Sequence, residues 1–323
     1  MDAPPLGADN GKWGLIDGAP LLLHCLFFKP MAHQVRNGVQ IAKQCWKALN
    51  QHPQLLIFPL LSGIALALVT LAIAVPFIAN LPEPDATLTA AEESALWWWG
   101  ALFTFVFYLI CYTIIIFANT ALVGVSLKLL KGERATVADG VAIAMGRWGQ
   151  ILLFALISAT IGTLLQMAKN RDRDDDNAMA SVLALVFGSL IQGAWNVIVF
   201  FAIPVYVVEN RGAIASIRRS ADIFKQTWGE GFVGKTVIGG VSCLVPFAIM
   251  FVTAAIGFVA VSLSSPVLLA LAILFMVLAF GTMALITGAI NGIFQASLYH
   301  FATTGQAGAF IETDLARAAF ARS

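Results

Sequence analysis

Five stretches of this chain contain no Asp, Glu, Lys or Arg: residues 48–82, 94–127, 148–168, 178–208 and 236–311. Uncharged runs of that length leave few folds open. A helix in a soluble domain keeps one face polar, whereas a hydrocarbon layer about 30 Å thick asks for about 20 successive apolar residues at 1.5 Å each. The first four runs fit one span apiece. The fifth fits two, with a turn at Ser264-Ser265-Pro266, because proline removes a backbone donor and disfavours helix at the residue before it. The expectation is six transmembrane helices, at 55–79, 97–126, 149–168, 179–208, 236–262 and 267–300. The runs are continuously apolar rather than alternating, which selects an all-α polytopic membrane protein over a barrel. Composition agrees: 11% of residues are charged, against about 25% in soluble proteins, and mean hydropathy is +0.84.

The net charge of +1 gives no reason to expect a nucleic-acid partner. The placement of charge says more. Sixteen of the nineteen Lys and Arg fall before the first span, in the second and fourth connections, or after the last span, and the other three are Lys169, Arg171 and Arg173. Basic residues stay on the cytoplasmic side, so both termini are expected inside, in a multi-pass protein of a prokaryotic inner membrane. The first outer loop carries Glu83, Asp85, Glu92 and Glu93 and ends in Trp97-Trp98-Trp99, a cluster suited to the headgroup boundary.

Trp46, Trp148 and Trp228 each precede an odd-numbered span and end similar segments. The first sets Val35, Val39, Ala42, Trp46 and Leu49 on one helical face, opposite Arg36, Gln40, Lys43 and Lys47. The second opens with Thr136 and Asp139 in capping-box spacing and puts Val137, Val141, Ala144 and Trp148 on one stripe. In the third, Ile214, Ile217, Ala221, Phe224 and Trp228 oppose Arg218, Arg219, Asp222 and Lys225. The repeating unit is thus a cytoplasmic amphipathic interfacial helix followed by a transmembrane hairpin, over 35–126, 136–208 and 214–300. A weakly ordered tail, 1–34, precedes this membrane domain of 35–312, and a second tail, 313–323, follows it.

Several segments carry a resemblance: Trp46 through Pro59-Leu-Leu-Ser-Gly63, the region of Asn119, the Glu-x-x-Gly-x-x-x-Ser-x-x-x-Ser run from Glu209 to Ser220, Thr227-Trp-Gly-Glu230, and Leu298 to Gly305. Over about residues 31–310 the chain resembles an uncharacterised six-pass membrane family of bacteria and archaea, a domain of unknown function. More remotely it is similar to the membrane portion of glycerophosphodiester phosphodiesterases. The resemblance implies fold and topology. No phosphodiesterase activity is carried over, because 323 residues leave no room for a soluble catalytic domain.

Chemistry is sparse. No charged residue lies within a span, which disfavours proton-coupled transport. The notable polar residues are carboxamides of even-numbered spans: Asn119, Gln192, Asn196, Asn291 and Gln295. The asparagines Asn119, Asn196 and Asn291 lie 13, 16 and 14 residues before Gly132, Gly212 and Gly305, so one polar layer is expected. Hydrogen bonds between helices explain such a layer; a substrate or water path is the alternative. Ala284, Gly288, Gly292 and Ala296, like Ser158 and Gly162, have the spacing of close helix packing. The acidic loop after Arg171 lacks the glycine and glutamate of a calcium loop, the four histidines and four cysteines have no ligand spacing, and neither G-x-S-x-G nor a Walker A run occurs. No metal, cofactor or catalytic residue is therefore expected.

The expected role is that of a non-catalytic scaffold or lipid-interacting protein, with a carrier or channel for a small neutral or lipidic solute as the alternative. Arg36, Lys43, Lys47, Arg218, Arg219 and Lys225 would meet anionic lipid, and Trp46, Trp97, Trp98, Trp99, Trp148 and Trp228 would anchor the interface. Membrane lipids are the expected partners; a homo-oligomer and other membrane proteins both stay open.

Overall fold

The computed structural model describes residues 40, 43–79, 89–171, 178–228, 239–263, 265–306 and 308–310. The two tails, Arg36, the acidic loop around Asp85 and the loop 172–177 lie outside these residues, as do the side chains of Gln192, Phe224 and Trp228. Every described element is helical. Helix α1 covers residues 43–51, and a 3-10 turn, Pro53–Leu56, leads into α2, Ile57–Val69. A π-helical stretch, Thr70–Ala74, continues into α3, Val75–Ala79. It lies just before Pro76, whose ring has no room beside the carbonyl four residues back in a regular helix. Then follow α4 (Ala90–Leu130), α5 (Val137–Met145), α6 (Trp148–Arg171), α7 (Ala178–Glu209), α8 (Ala213–Trp228), α9 (Gly239–Ser262) and α10 (Pro266–Thr304).

Among the described residues four segments are long and apolar enough to cross a bilayer: Pro53–Ala79, Ser94–Leu130, Trp148–Met167 and Pro266–Thr304. The sequence predicts six. Helices α7 and α9 contribute the shorter apolar stretches Val199–Glu209 and Ala248–Val259. The helix break expected near 264–266 falls between α9, which ends at Ser262, and α10, which starts at Pro266 and is capped by the Ser265 hydroxyl accepting from the Leu268 N–H at 3.4 Å.

The helices α4, α7 and α10 touch one another, and the other long helices pack around them. Helix α2 lies against α4 and α10, α6 against α4 and α7, and α9 along α10. Small residues permit the closest approaches, as their spacing predicts. Leu122 of α4 fills the space where a side chain at Gly292 would stand, and Pro59 of α2 lies opposite Gly288. The Trp195 indole donates to the Ser158 Oγ at 3.3 Å, joining α7 to α6.

The buried core is gathered at one end of the bundle. It joins residues 121–130, 201–206 and 289–299, near the C-terminal ends of α4, α7 and α10, with the starts of α2, α6 and α8 and with Ala144 of α5. Towards the other end long apolar rows face outward, with Phe251 and Phe258 each 77% exposed. Hydrocarbon solvates such rows, so they need no protein partner there.

All three central helices end in left-handed residues: Gly132 (φ 78°), Asn210 (φ 52°) and Gly305 (φ 71°). A left-handed residue after the last turn lets its N–H reach back to a helix carbonyl, as Gly305 does to Phe301 at 2.8 Å. The sequence reading takes Gly212 as the third of these stops, but the structure gives that role to Asn210. Asparagine tolerates this region better than other side chains do. Measured from the observed stops, Asn119, Asn196 and Asn291 lie 13, 14 and 14 residues back, a more even register than the glycines suggest.

Candidate functional site

The short helices at the core end each have three faces, where the sequence predicts two. In α1, Cys45, Ala48 and Leu49 are buried, Trp46 is 43% exposed, and Lys43 and Lys47 point outward. In α8, Ala213, Ser216, Ser220 and Ile223 face the bundle, Ile214 is 58% exposed beside half-buried Ile217 and Ala221, and Arg218, Asp222 and Lys225 form an exposed charged strip. In α5 the bundle-facing residues are Gly140 and Ala144, while Val141 and Met145 face outward next to Trp148. The single stripe of Val137, Val141, Ala144 and Trp148 expected for α5 is therefore split. Gly140 is the cause: a Cβ there would stand 2.5 Å from Phe58 and 2.8 Å from Val125, so the bare backbone turns inward and Val141 turns out.

Two of the helix starts are fixed by hydrogen bonds to acids or carbonyls. At α5 the capping box is complete: the Asp139 N–H donates to Thr136 Oγ1 at 3.3 Å, and the Thr136 N–H donates to Asp139 Oδ2 at 2.8 Å. The Thr136 hydroxyl, the Thr136 N–H and the Lys128 ammonium at 3.2 Å together hold the Asp139 carboxyl down to about 2. Lys128 is thereby matched by an acid. At α8 the Ser216 hydroxyl donates to the Gly212 carbonyl at 3.0 Å, closing the first turn inside the core.

Glu209, at the end of α7, is the hub of this region. Its carboxylate accepts from Arg211 Nε at 2.6 Å, from Arg219 Nε at 3.4 Å and from the Tyr299 hydroxyl of α10 at 3.2 Å. Beside it, Arg147 donates to the Asn210 carboxamide oxygen and, at 3.3 Å, to the Val207 carbonyl. Deeper in, the Thr120 hydroxyl donates to Ile116 at 2.6 Å and accepts from the Tyr206 hydroxyl, linking α4 to α7. The run from Glu209 to Ser220 thus has a physical reading: an acid that gathers two arginines, a turn, and two serines small enough to sit against the bundle.

Of the residues expected to contact anionic lipid, Arg219 is held by Glu209. Lys43, Lys47, Arg218 and Lys225 are exposed and have no ion pair with a described residue. Among the interfacial tryptophans, Trp97, Trp98 and Trp99 are exposed, and Trp148 meets the Phe117 ring edge-on at 5.9 Å. Of the five carboxamides, Gln192 has its side chain outside the described residues, and the other four differ in burial. Gln295 is buried and donates to the Phe200 carbonyl of α7, Asn119 is half-buried near Gly292, and Asn196 and Asn291 are exposed.

The sequence reading passes over Glu209, Asn210, Tyr206 and Tyr299 as site residues. The available signal was an acid closing an apolar run with arginines two and ten residues further on. Among the described residues no group of three or more His, Cys, Asp or Glu comes together. An apolar groove of about 360 Å³ on α4 and α6 is lined by Leu109, Gly149, Leu152, Leu153 and Leu156, which suits hydrocarbon rather than a polar reactant.

Comparison with known proteins gives one family. The profile described as "Family of unknown function (DUF6159)" matches residues 99–310. No curated protein matches the chain. Nothing in these comparisons carries the likeness to glycerophosphodiester phosphodiesterases.

Proposed function

We propose, from the premise that the chain belongs to this family of unknown function, that it is a non-catalytic scaffold or lipid-interacting protein of a prokaryotic inner membrane. In this reading six helices span the bilayer as three hairpins, both termini are cytoplasmic, and the core end of the bundle sits at the inner leaflet. The observation that carries it is the pairing of faces on α1 and α8. An outward apolar strip, with Trp46 on one helix and Ile214 on the other, runs beside cations that form no ion pair with a described acid. Such a helix lies in the plane of a leaflet with its apolar side among the acyl chains. Each well-placed Lys or Arg adds about 1 kcal/mol of attraction to anionic headgroups.

The test uses the full chain in mild detergent, with bound lipids counted by native mass spectrometry after extraction from vesicles of equal phosphatidylglycerol and phosphatidylcholine. Retained lipid is expected to be enriched several-fold in phosphatidylglycerol. The variant Lys43→Gln, Lys47→Gln, Arg218→Gln, Lys225→Gln should lose that enrichment, and 0.5 M salt should weaken it. Equal retention of both lipids by the natural chain would remove the proposal.

A further inference from the structure

Besides tying α7 to α8, the Glu209 carboxylate sets two guanidinium groups side by side. Arg211 meets its Oε2 at 2.6 Å and Arg219 its Oε1 at 3.4 Å, each through Nε. The Tyr299 hydroxyl holds the same carboxylate from α10 at 3.2 Å. The acid is covered and its arginines are not: the Glu209 side chain is 19% exposed, against 35% for Arg219 and 51% for Arg211. An arginine that meets its partner through Nε keeps both Nη groups as donors on the far edge of the guanidinium.

Glu209 does not balance the charge gathered around it. Arg147 stands beside the pair, bonded to Asn210 and to the Val207 carbonyl at 3.3 Å. Among the described residues, three cations (Arg147, Arg211 and Arg219) less one acid leave a surplus of two positive charges. Asp222, on the exposed strip of α8, forms no ion pair with Arg218 or Arg219.

We propose that the outward edges of Arg211 and Arg219 form a seat for a phosphomonoester group. Guanidinium edges match phosphate oxygens in pairs, and a terminal phosphate has three such oxygens, enough to be shared between two arginines. Its charge of about −1.5 to −2 at neutral pH fits the surplus. A phosphodiester, with a single charge and fewer free oxygens, fits less well. Val208 and Ile214, on either side of Arg211 in the chain, are 45% and 58% exposed, so apolar surface lies next to the seat and favours a lipid headgroup as the source. The seat uses other residues than the leaflet contact proposed above, and rests on that reading only in placing the core end at the leaflet.

The full chain in mild detergent is extracted from vesicles of equal phosphatidate, phosphatidylglycerol and phosphatidylcholine, and retained lipid is counted by native mass spectrometry. Phosphatidate is expected to exceed phosphatidylglycerol by about 5-fold or more. Arg211→Lys with Arg219→Lys keeps the charge but removes the paired donors, and should bring that ratio to about 1. Arg211→Lys alone, in the exposed turn, should lower it about 2-fold, and it decides the matter if the double variant loses its helix content or melting temperature. The four-cation variant should lose its preference for phosphatidylglycerol over phosphatidylcholine and keep that for phosphatidate over phosphatidylglycerol, which separates failure of the leaflet reading from failure of this one. A parallel calorimetric titration with glycerol phosphate identifies the source. Phosphatidate preference without heat of binding assigns the seat to a headgroup, and binding of glycerol phosphate that the Arg→Lys variants lose assigns it to a soluble phosphomonoester. Equal retention of phosphatidate and phosphatidylglycerol with no binding of glycerol phosphate, or a preference unchanged in folded Arg→Lys variants, would overturn the proposal.

Discussion

Asp139 shows what a single residue contributes at the core end. Its folded carboxyl is held at about 2, below the 3.8 of the free group. A depressed value means that the stabilisation is complete above the unfolded value and is lost as pH falls from about 4 to about 2. Asp139→Asn should therefore lower the thermal midpoint at pH 7 and lower it much less at pH 2, where about half of the folded carboxyl is already protonated, and equal loss at both would contradict the assignment. Gly140→Ala should destabilise by about 1–3 kcal/mol, because the new methyl meets Phe58 and Val125 in a closed core. Glu209→Gln should cost about 1.5–3 kcal/mol, as charged hydrogen bonds do, read as lower detergent-melting temperature with rescue by Glu209→Asp smaller than complete. These residues differ in how far the sequence announces them. Thr136 and Asp139 act within one turn, so their spacing suffices. The role of Glu209 depends on Tyr299, 90 residues away, and no local pattern holds that distance.

At the scale of the element, a helix at a membrane surface meets protein, hydrocarbon and water, and so needs three faces. Periodicity in α8 separates apolar from charged residues but cannot separate Ile214, which faces out, from Ile223, which faces in. Ser216 and Ser220 look polar yet line the bundle because small side chains fit there, and the Ser216 hydroxyl bonds back to the Gly212 carbonyl. The three short helices also differ in charge. Lys128 beside α5 is matched by Asp139, while Lys43, Lys47, Arg218 and Lys225 are not matched by a described acid. Lys128→Gln should consequently leave phosphatidylglycerol retention unaltered, where Arg218→Gln with Lys225→Gln reduces it, and a reversed order would count against the headgroup reading. Burial on α1 pushes the Cys45 thiol up to about 12. In a chain with Cys25, Cys111 and Cys243 replaced by Ser, N-ethylmaleimide at pH 8 should leave Cys45 unmodified until the protein is denatured.

For the whole molecule, uncharged runs announce long apolar helices, and their flanking charges supply the argument for the proposed sidedness. Neither announces where protein packs against protein. The core gathers at one end because small residues such as Gly140, Gly288 and Gly292 let helices close there, and because the left-handed stops bring α4, α7 and α10 to a common level. The carboxamides divide along the same line: Gln295 lies within the closed end, while Asn196 and Asn291 stand one turn beyond it. The i, i+4 spacing of Asn291 and Gln295 was legible, but which of the two would lie inside the closed end was not, since that follows from where α7 and α10 meet. The central claim is that this chain threads a bilayer with the packed end inward. It is tested most directly by single cysteines placed at 85, 175, 265, 133 and 211 in a cysteine-free chain and labelled in intact cells with a membrane-impermeant maleimide. The account predicts labelling at 85, 175 and 265, and labelling at 133 and 211 only after the membrane is opened; the same accessibility at 133 or 211 as at 85 in intact cells would contradict it.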